Sequence, residues 1–233
     1  MPPPRRKRHR SRKQRLPTPN NPAMQGRYSD AFRAEVRDLM RWRRDVRRFR
    51  RDAVEAAVLD RCLCAFSLAP SVGLSEPWRV ISVESEAARA AALANFEQAN
   101  AQALGGYGTD KAQLYAGLKL SGMREAPVHL AVFCDDGTEK GSGLGARSMP
   151  ETRAYSVVGA ITLFWLAARA EALGIGWVSI LDPVRLTADL GVPDGWRLIG
   201  YLCVGWPEEE GEMPELEQVG WETRAPDVWR EAR

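Results

Sequence analysis

The sequence predicts an α+β fold, and two observations carry that prediction. Helical stretches outnumber and surround about four short strand-like runs, at 78–84, 128–134, 174–181 and 196–206. These runs do not alternate with helices in the regular βαβ order that a doubly wound parallel sheet needs. A chain of 233 residues is long enough to bury a core, and one domain is the default.

Each element has a local cause. Ser29 and Asp30 can cap a helix running to about Trp42, with Phe32, Val36 and Met40 on one face. Asp52 is expected to open a second helix, where Val54, Val58, Leu63 and Phe66 fall at helical spacing before Pro70 stops it. The turn formers of 69–77 make a loop, and the β-branched content of 78–84 makes a strand. An Ala-rich helix over 85–104 is broken by Gly105, Gly106 and Gly108. A further helix is expected over roughly 109–124, ahead of Pro127 and an apolar strand at 128–134. Residues 135–150 read as an irregular loop, and 151–173 as the longest apolar helix, buried nearly all round. A strand at 174–181, a short helix opened by Asp182-Pro183 and a last core strand at 196–206 follow. Beyond Pro207 the chain is acidic, with Leu216, Trp221 and Trp229 as spaced apolar anchors. Such a tail has little core of its own and should wrap a neighbouring surface, such as a second subunit.

Composition narrows the function classes. Hydrophobic content of 45% and charged content of 27% fit an ordinary soluble protein. No apolar run reaches the roughly 18 residues of a membrane span, and the N-terminus lacks the apolar segment of a secretory signal. Cys62, Cys64, Cys134 and Cys203 show no CxxC spacing, so buried free thiols in a reducing cytoplasm are expected. The net charge of +3 comes from the tail: residues 1–15 hold eight bases and no acid, leaving 25 bases to 30 acids elsewhere. We read 1–26 as a disordered basic extension, or as leader ahead of a start at Met24. The tail's cations could meet nucleic-acid phosphates, but no reading domain accompanies them, so nucleic acid is not expected as a partner.

His129 is the only histidine outside the tail and sits in an apolar strand, which argues against a Ser-His-Asp triad or a histidine metal centre. No metal is expected. Gly141-Ser142-Gly143-Leu144-Gly145 lacks the dinucleotide spacing and has no Walker lysine. Redox chemistry in this chain would need a borrowed organic cofactor.

Three motifs stand out. Arg43-Arg44-Asp45-Val46-Arg47 is an arginine-rich turn suited to phosphate oxygens, with one carboxylate among the cations. Pro70-Ser71-Val72-Gly73 runs to Pro77-Trp78, between a helix and a strand. Gly174-Ile175-Gly176-Trp177-Val178-Ser179 follows the long helix. In this order the motifs resemble those of the FMN-dependent nitroreductase superfamily, whose pattern is RRSxR, PSxxNxQPW and a GxGW-type strand. The resemblance covers roughly 28–206, and more weakly the tail. Within the superfamily the match is to the BluB family of 5,6-dimethylbenzimidazole synthases. It rests on Asp45 in place of serine, on Ser71-Val72-Gly73, and on 166–171 running into 176–180. Glu76 departs from the family's usual glutamine.

The resemblance implies a central, mostly antiparallel sheet flanked by helices, in an intertwined homodimer with two sites at the interface. It divides the chain into the tail, a flavin domain over 27–206 and a partner-wrapping extension over 207–233. It further implies that reduced FMN is bound as a substrate and fragmented with O2 to 5,6-dimethylbenzimidazole and erythrose 4-phosphate. A separate NAD(P)H-dependent flavin reductase would supply the reduced FMN. Arg43, Arg44 and Arg47 would hold the phosphate, with Arg224 adding a contact from the tail. Ser71 and Gly73 would bring the loop backbone to the flavin, and Lys119, on a helix, would sit near its N1/O2 edge. Trp177, Val178 and Ser179 would line the site. Asp45 would accept a proton, and Ser179 would hydrogen-bond the reacting ring edge. The alternatives are an ordinary NAD(P)H-dependent flavin or nitroaromatic reductase, and a flavin- or corrinoid-binding module without chemistry.

Overall fold

The computed structural model describes residues 28–233, so the expectations for the tail and for Met24 lie outside the described residues. Four strands form one antiparallel sheet in the order β1-β2-β4-β3: β1 Trp78–Ser82, β2 Val128–Asp135, β3 Gly174–Val178 and β4 Trp196–Gly205. Seven α-helices accompany them among the described residues: α1 Asp30–Trp42, α2 Ala56–Leu63, α3 Glu86–Leu104, α4 Thr109–Gly117, α5 Thr152–Ala170, α6 Pro183–Asp189 and α7 Glu215–Gln218. The α+β expectation holds.

Alternation along β2 divides the core into two layers. Leu130, Val132 and Cys134 face α5, where they meet Val157, Ile161 and Phe164. Ala131 and Phe133 face the opposite layer, with Ala92 and Phe96 of α3 and Leu186 of α6. A strand buried on both faces needs apolar residues throughout, which is why 128–134 is a continuous apolar run. Three helix starts follow their caps. Ser29 accepts the Phe32 N–H at 3.1 Å, Ser85 accepts the Ala88 N–H at 3.2 Å, and Asp182 accepts the N–H groups of Val184 and Arg185.

Three expectations need correction. Asp52 opens no helix: 52–55 lies outside any helix or strand, α2 starts at Ala56, and its end tightens into a 3₁₀ turn over Cys64–Leu68. The helix expected over 109–124 ends at Gly117, and the chain continues extended through Leu118. Glycine is a poor helix residue, and nothing beyond it in 118–121 restores an amphipathic period. Finally, α5 is not buried all round: Tyr155, Val158 and Thr162 form an exposed stripe at helical spacing. Phe32 and Met40 of α1 are exposed as well, and α1 buries no residue in this chain.

Candidate functional site

The arginine turn is placed by the edge of β3. Leaving α1, the chain turns extended at Arg43 and lays Asp45 beside Ile175 in a parallel bridge. The Val46 N–H donates to the Ile175 carbonyl at 2.9 Å, and the Trp177 N–H donates to Asp45 Oδ1 at 2.8 Å. Gly176 makes this approach possible, since a Cβ there would sit 2.2 Å from the Val46 carbonyl oxygen. The second glycine of the strand motif is therefore a docking requirement of the turn.

The arginines have different duties. The Arg47 side chain is 13% exposed; it pairs with Asp45 Oδ2 at 2.9 Å and donates to the Lys119 carbonyl at 3.3 Å. The Arg43 guanidinium lies 4.8 Å from the centre of the Trp165 ring. Trp165 in turn donates its indole N–H to the Arg44 carbonyl at 3.2 Å. Arg48 pairs with Glu215 at 2.8 Å. Arg44 is the one arginine of this turn with buried donors left unpaired: one nitrogen reaches the Arg43 carbonyl, while Nε and Nη2 are buried without a partner. Burial first, then repulsion by Arg224 and Arg43, lowers its pKa below the ordinary arginine value.

Arg44, Asp45, Arg47 and Arg48 line one wall of a cleft of about 200 Å³, and residues 209–218 of the acidic C-terminal segment line the other. A buried guanidinium with two orphaned nitrogens fits a dianionic phosphate, which presents paired acceptors to that fork. The residues present thus fit the phosphate end of FMN. Arg224 lies close enough to repel Arg44, although its own Nε is paired with Glu217 at 2.9 Å.

None of the other expected site residues lines this cleft, although Trp177 and Lys119 touch its Asp45 and Arg47 through their main chains. Ser71 Oγ accepts the Glu76 N–H at 3.1 Å, and the Val72 N–H donates to Ser156 Oγ of α5 at 3.0 Å. Gly73 has φ 58°, and a Cβ there would meet the Leu144 carbonyl oxygen at 2.9 Å. The loop is thereby interlocked with the 141–144 turn. The departure at Glu76 has a local partner, because its carboxylate is paired with Lys140. Lys119 is not on a helix as expected: it follows α4 in extended chain and pairs with Glu125 at 3.1 Å. It lines a second cavity of about 270 Å³, with Leu93, Phe96, Asn100 and Ser121.

Along β3, the Trp177 ring packs over Gly200, where a Cβ would be 2.6 Å from the indole nitrogen. Val178 is 3% exposed, in the core layer that holds Leu186 and Tyr201, so its side chain belongs to the core. Ser179 is exposed immediately beyond the strand. His129 is a core residue, as expected. Its Nδ1 lies 2.8 Å from the Tyr201 hydroxyl, and burial, then Arg89, push its pKa down to about 4.

Sequence reasoning missed Trp165, which props the arginine turn, and Asn95, which is 1% exposed on α3. A signal for Asn95 existed: it shares a helical face with Ala92 and Phe96, so periodicity puts an amide in the core.

Comparison with known proteins places the fold in a family. Residues 40–206 match the Nitroreductase family. A 5,6-dimethylbenzimidazole synthase of Rhodospirillum rubrum is 50% identical over 199 residues, covering 85% of this chain and 94% of the relative. A protein of the same name from Rhodobacter capsulatus is 45% identical over 202 residues, covering 87% of this chain and 98% of the relative. Among solved structures, iodotyrosine deiodinase bound to FMN and 3-iodo-L-tyrosine superposes with a TM-score of 0.68 at 22% identity, over 85% of this chain and 99% of that one. The chain belongs to the nitroreductase family, as a relative of its 5,6-dimethylbenzimidazole synthases.

Proposed function

We propose that this protein fragments reduced FMN with O2, releasing 5,6-dimethylbenzimidazole and erythrose 4-phosphate. The observation that carries the reading is the similarity, over 85% and 87% of this chain, to 5,6-dimethylbenzimidazole synthases from two bacteria, and Asp45 supplies its chemistry. Reduced FMN provides the electrons for O2 and the ring that is broken. The protein's residues bind, orient and move protons. Arg44 takes the phosphate through its two free nitrogens, with Arg43, Arg47 and Arg224 supplying surrounding positive charge. Trp177 and the main chain of Val178 line the ring, and Lys119 places a cation near its N1/O2 edge. Asp45 accepts a proton at its carboxylate. Both of its oxygens already hold one partner, which fixes the group, and each keeps a further lone-pair direction. Ser179 hydrogen-bonds the reacting edge.

The active form in this reading is a homodimer. The exposed stripe on α5 and the bare face of α1 give a second copy an apolar surface, and Ser71 and Gly73 reach the partner's flavin rather than their own chain's arginine turn. Residues 209–218 and Trp221 pack on their own chain, and only the stretch beyond them extends across the partner, with Trp229, 82% exposed, as the free anchor. A separate NAD(P)H-dependent reductase supplies the reduced flavin.

The test is chromatography of the products after reduced FMN and protein meet air. Benzimidazole in stoichiometric relation to lost FMN is expected. Intact FMN as the sole flavin product would replace this reading with that of a flavin reductase. Sedimentation of a monomer that still makes the benzimidazole would overturn the shared-site dimer.

A further inference from the structure

Ser179 sits on a loop with no hydrogen-bond partner of its own among the described contacts, yet its proposed task demands a fixed position. What fixes the loop is on the other layer of the fold. Asn95, on α3, donates through its amide nitrogen to the Asp182 carbonyl at 2.9 Å. Its amide oxygen accepts the Asp182 N–H at 2.8 Å. One side chain thus mimics a β-bridge partner and satisfies both main-chain groups of one residue. Asp182 also caps α6 with its carboxylate, so the same residue anchors the loop from both directions. Ser179 therefore leaves β3 from a hydrogen-bonded strand and, three residues later, enters a clasp.

An amide in this place is costly unless used. Asn95 is 1% exposed on a helix otherwise rich in alanine, and an alanine or leucine would bury without needing a partner. α6 has its own cap and its own core anchor in Leu186, so the helix is held without the clasp. The amide adds the fixing of the 179–182 main chain.

We propose that Asn95 is a positioning residue for Ser179, setting where that hydroxyl stands relative to the bound flavin and so the fraction of reduced flavin that is fragmented rather than returned intact. This rests on the proposed fragmentation of FMN.

The test uses the full-length protein with Asn95→Leu, which keeps size and loses both hydrogen bonds, and Asn95→Asp. Without flavin, amide exchange of 179–182 should quicken by about tenfold or more in Asn95→Leu, while the Trp177 amide, held by Asp45, stays protected. With reduced FMN and air, flavin affinity should be kept, while benzimidazole formed per FMN consumed falls by up to about 10²-fold, the effect of a misplaced reacting group. Asn95→Asp supplies a readout that a merely structural role would not move. A neutral carboxyl can both donate to the Asp182 carbonyl and accept from its N–H, whereas the ionised form cannot donate. Burial raises such a carboxyl's pKa, so its benzimidazole fraction, relative to the parent protein, should recover as pH falls from about 8 to about 6. This arm stands even where Asn95→Leu fails to fold. Val83→Ala, a core truncation near β1, controls for loss of stability and should leave the fraction unchanged.

Unaltered exchange at 179–182, a pH-independent fraction in Asn95→Asp, or an equal fall in Val83→Ala would each overturn the assignment. A parent protein that makes no benzimidazole would instead overturn the function on which it stands.

Discussion

Two stretches of β3, its edge and the loop beyond its C-terminal end, present proposed chemistry by opposite means. At its middle, the Asp45 turn is fastened along the strand edge by main chain and carboxylate, with the Val46 and Trp177 amides both engaged. Beyond its C-terminal end, Ser179 is exposed and its loop is held by an amide 87 residues distant in the chain. An edge-docked turn is rigid because sheet pairing repeats along the strand. The main chain of a clasped loop rests on one side chain's hydrogen bonds, with Ile180 and Leu181 packed against the core beneath it. The first should therefore fail through packing and the second through hydrogen bonding, and four experiments can break or sharpen that contrast.

The largest effect is expected at Asp45. Asp45→Asn keeps an oxygen for the Trp177 N–H and loses the charge facing Arg47. Flavin binding should persist while benzimidazole formation falls by about 10²–10⁴-fold, the usual contribution of a general base. Product at the parent rate would leave Asp45 a purely ordering residue. The comparison would then shift wholly to Ser179.

Gly176→Ala attacks the docking itself. The added methyl would meet the Val46 carbonyl, a main-chain atom that cannot rotate away, so the turn must leave the strand. A loss of about 3 kcal/mol in denaturant unfolding is expected, with flavin affinity lost alongside. Unchanged stability would show that the turn is not edge-held.

Acid should act on both regions together, since His129 and Gly176 each stand opposite Cys203 in the sheet. The folded pKa of His129 is about 4, below the ordinary value of 6.5, so the unfolded chain takes up the proton first. Its stabilising share is complete above about pH 6.5 and is lost as pH falls towards 4, on the order of 3 kcal/mol in all. Unfolding free energy measured across that window should decline in the parent protein and decline less in His129→Gln.

The smallest effect separates binding from folding. Arg44→Met removes the cation with two orphaned buried nitrogens. Flavin titration should show about 1.5–3 kcal/mol of lost affinity, the value of a charged hydrogen bond. Thermal unfolding without flavin should show no loss, because an unpaired buried charge has been removed. Loss of stability with affinity intact would move the phosphate to Arg43 or Arg47.

Much of this architecture was legible in the sequence where causes are local. Ser29 and Asp182 announced helix starts through their caps, and the apolar run of β2 announced a strand covered on both faces. Failures came where a local signal was overruled. Asp52 looked like a cap, yet 52–55 stays outside the helix and α2 begins at Ala56. The 109–124 helix was extrapolated past Gly117, which moved Lys119 from a helix to extended chain.

The candidate site divides in the same way. Its chemical types and their order were fixed by the sequence: an arginine turn holding one carboxylate, a glycine-bearing loop, and a strand with paired glycines. Residue order alone could not say which arginine keeps buried donors unpaired. Arg43, Arg44 and Arg47 are one residue type within five positions, and only packing sends one to the face of Trp165 and another to Asp45, and buries two nitrogens of the third without partners. Nor could it place Asn95 against Asp182, because a hydrogen bond between two layers of the core has no period along the chain. Local propensity and patterning act over a few residues, whereas the sharing of buried donors and acceptors is settled only when distant segments are brought into contact.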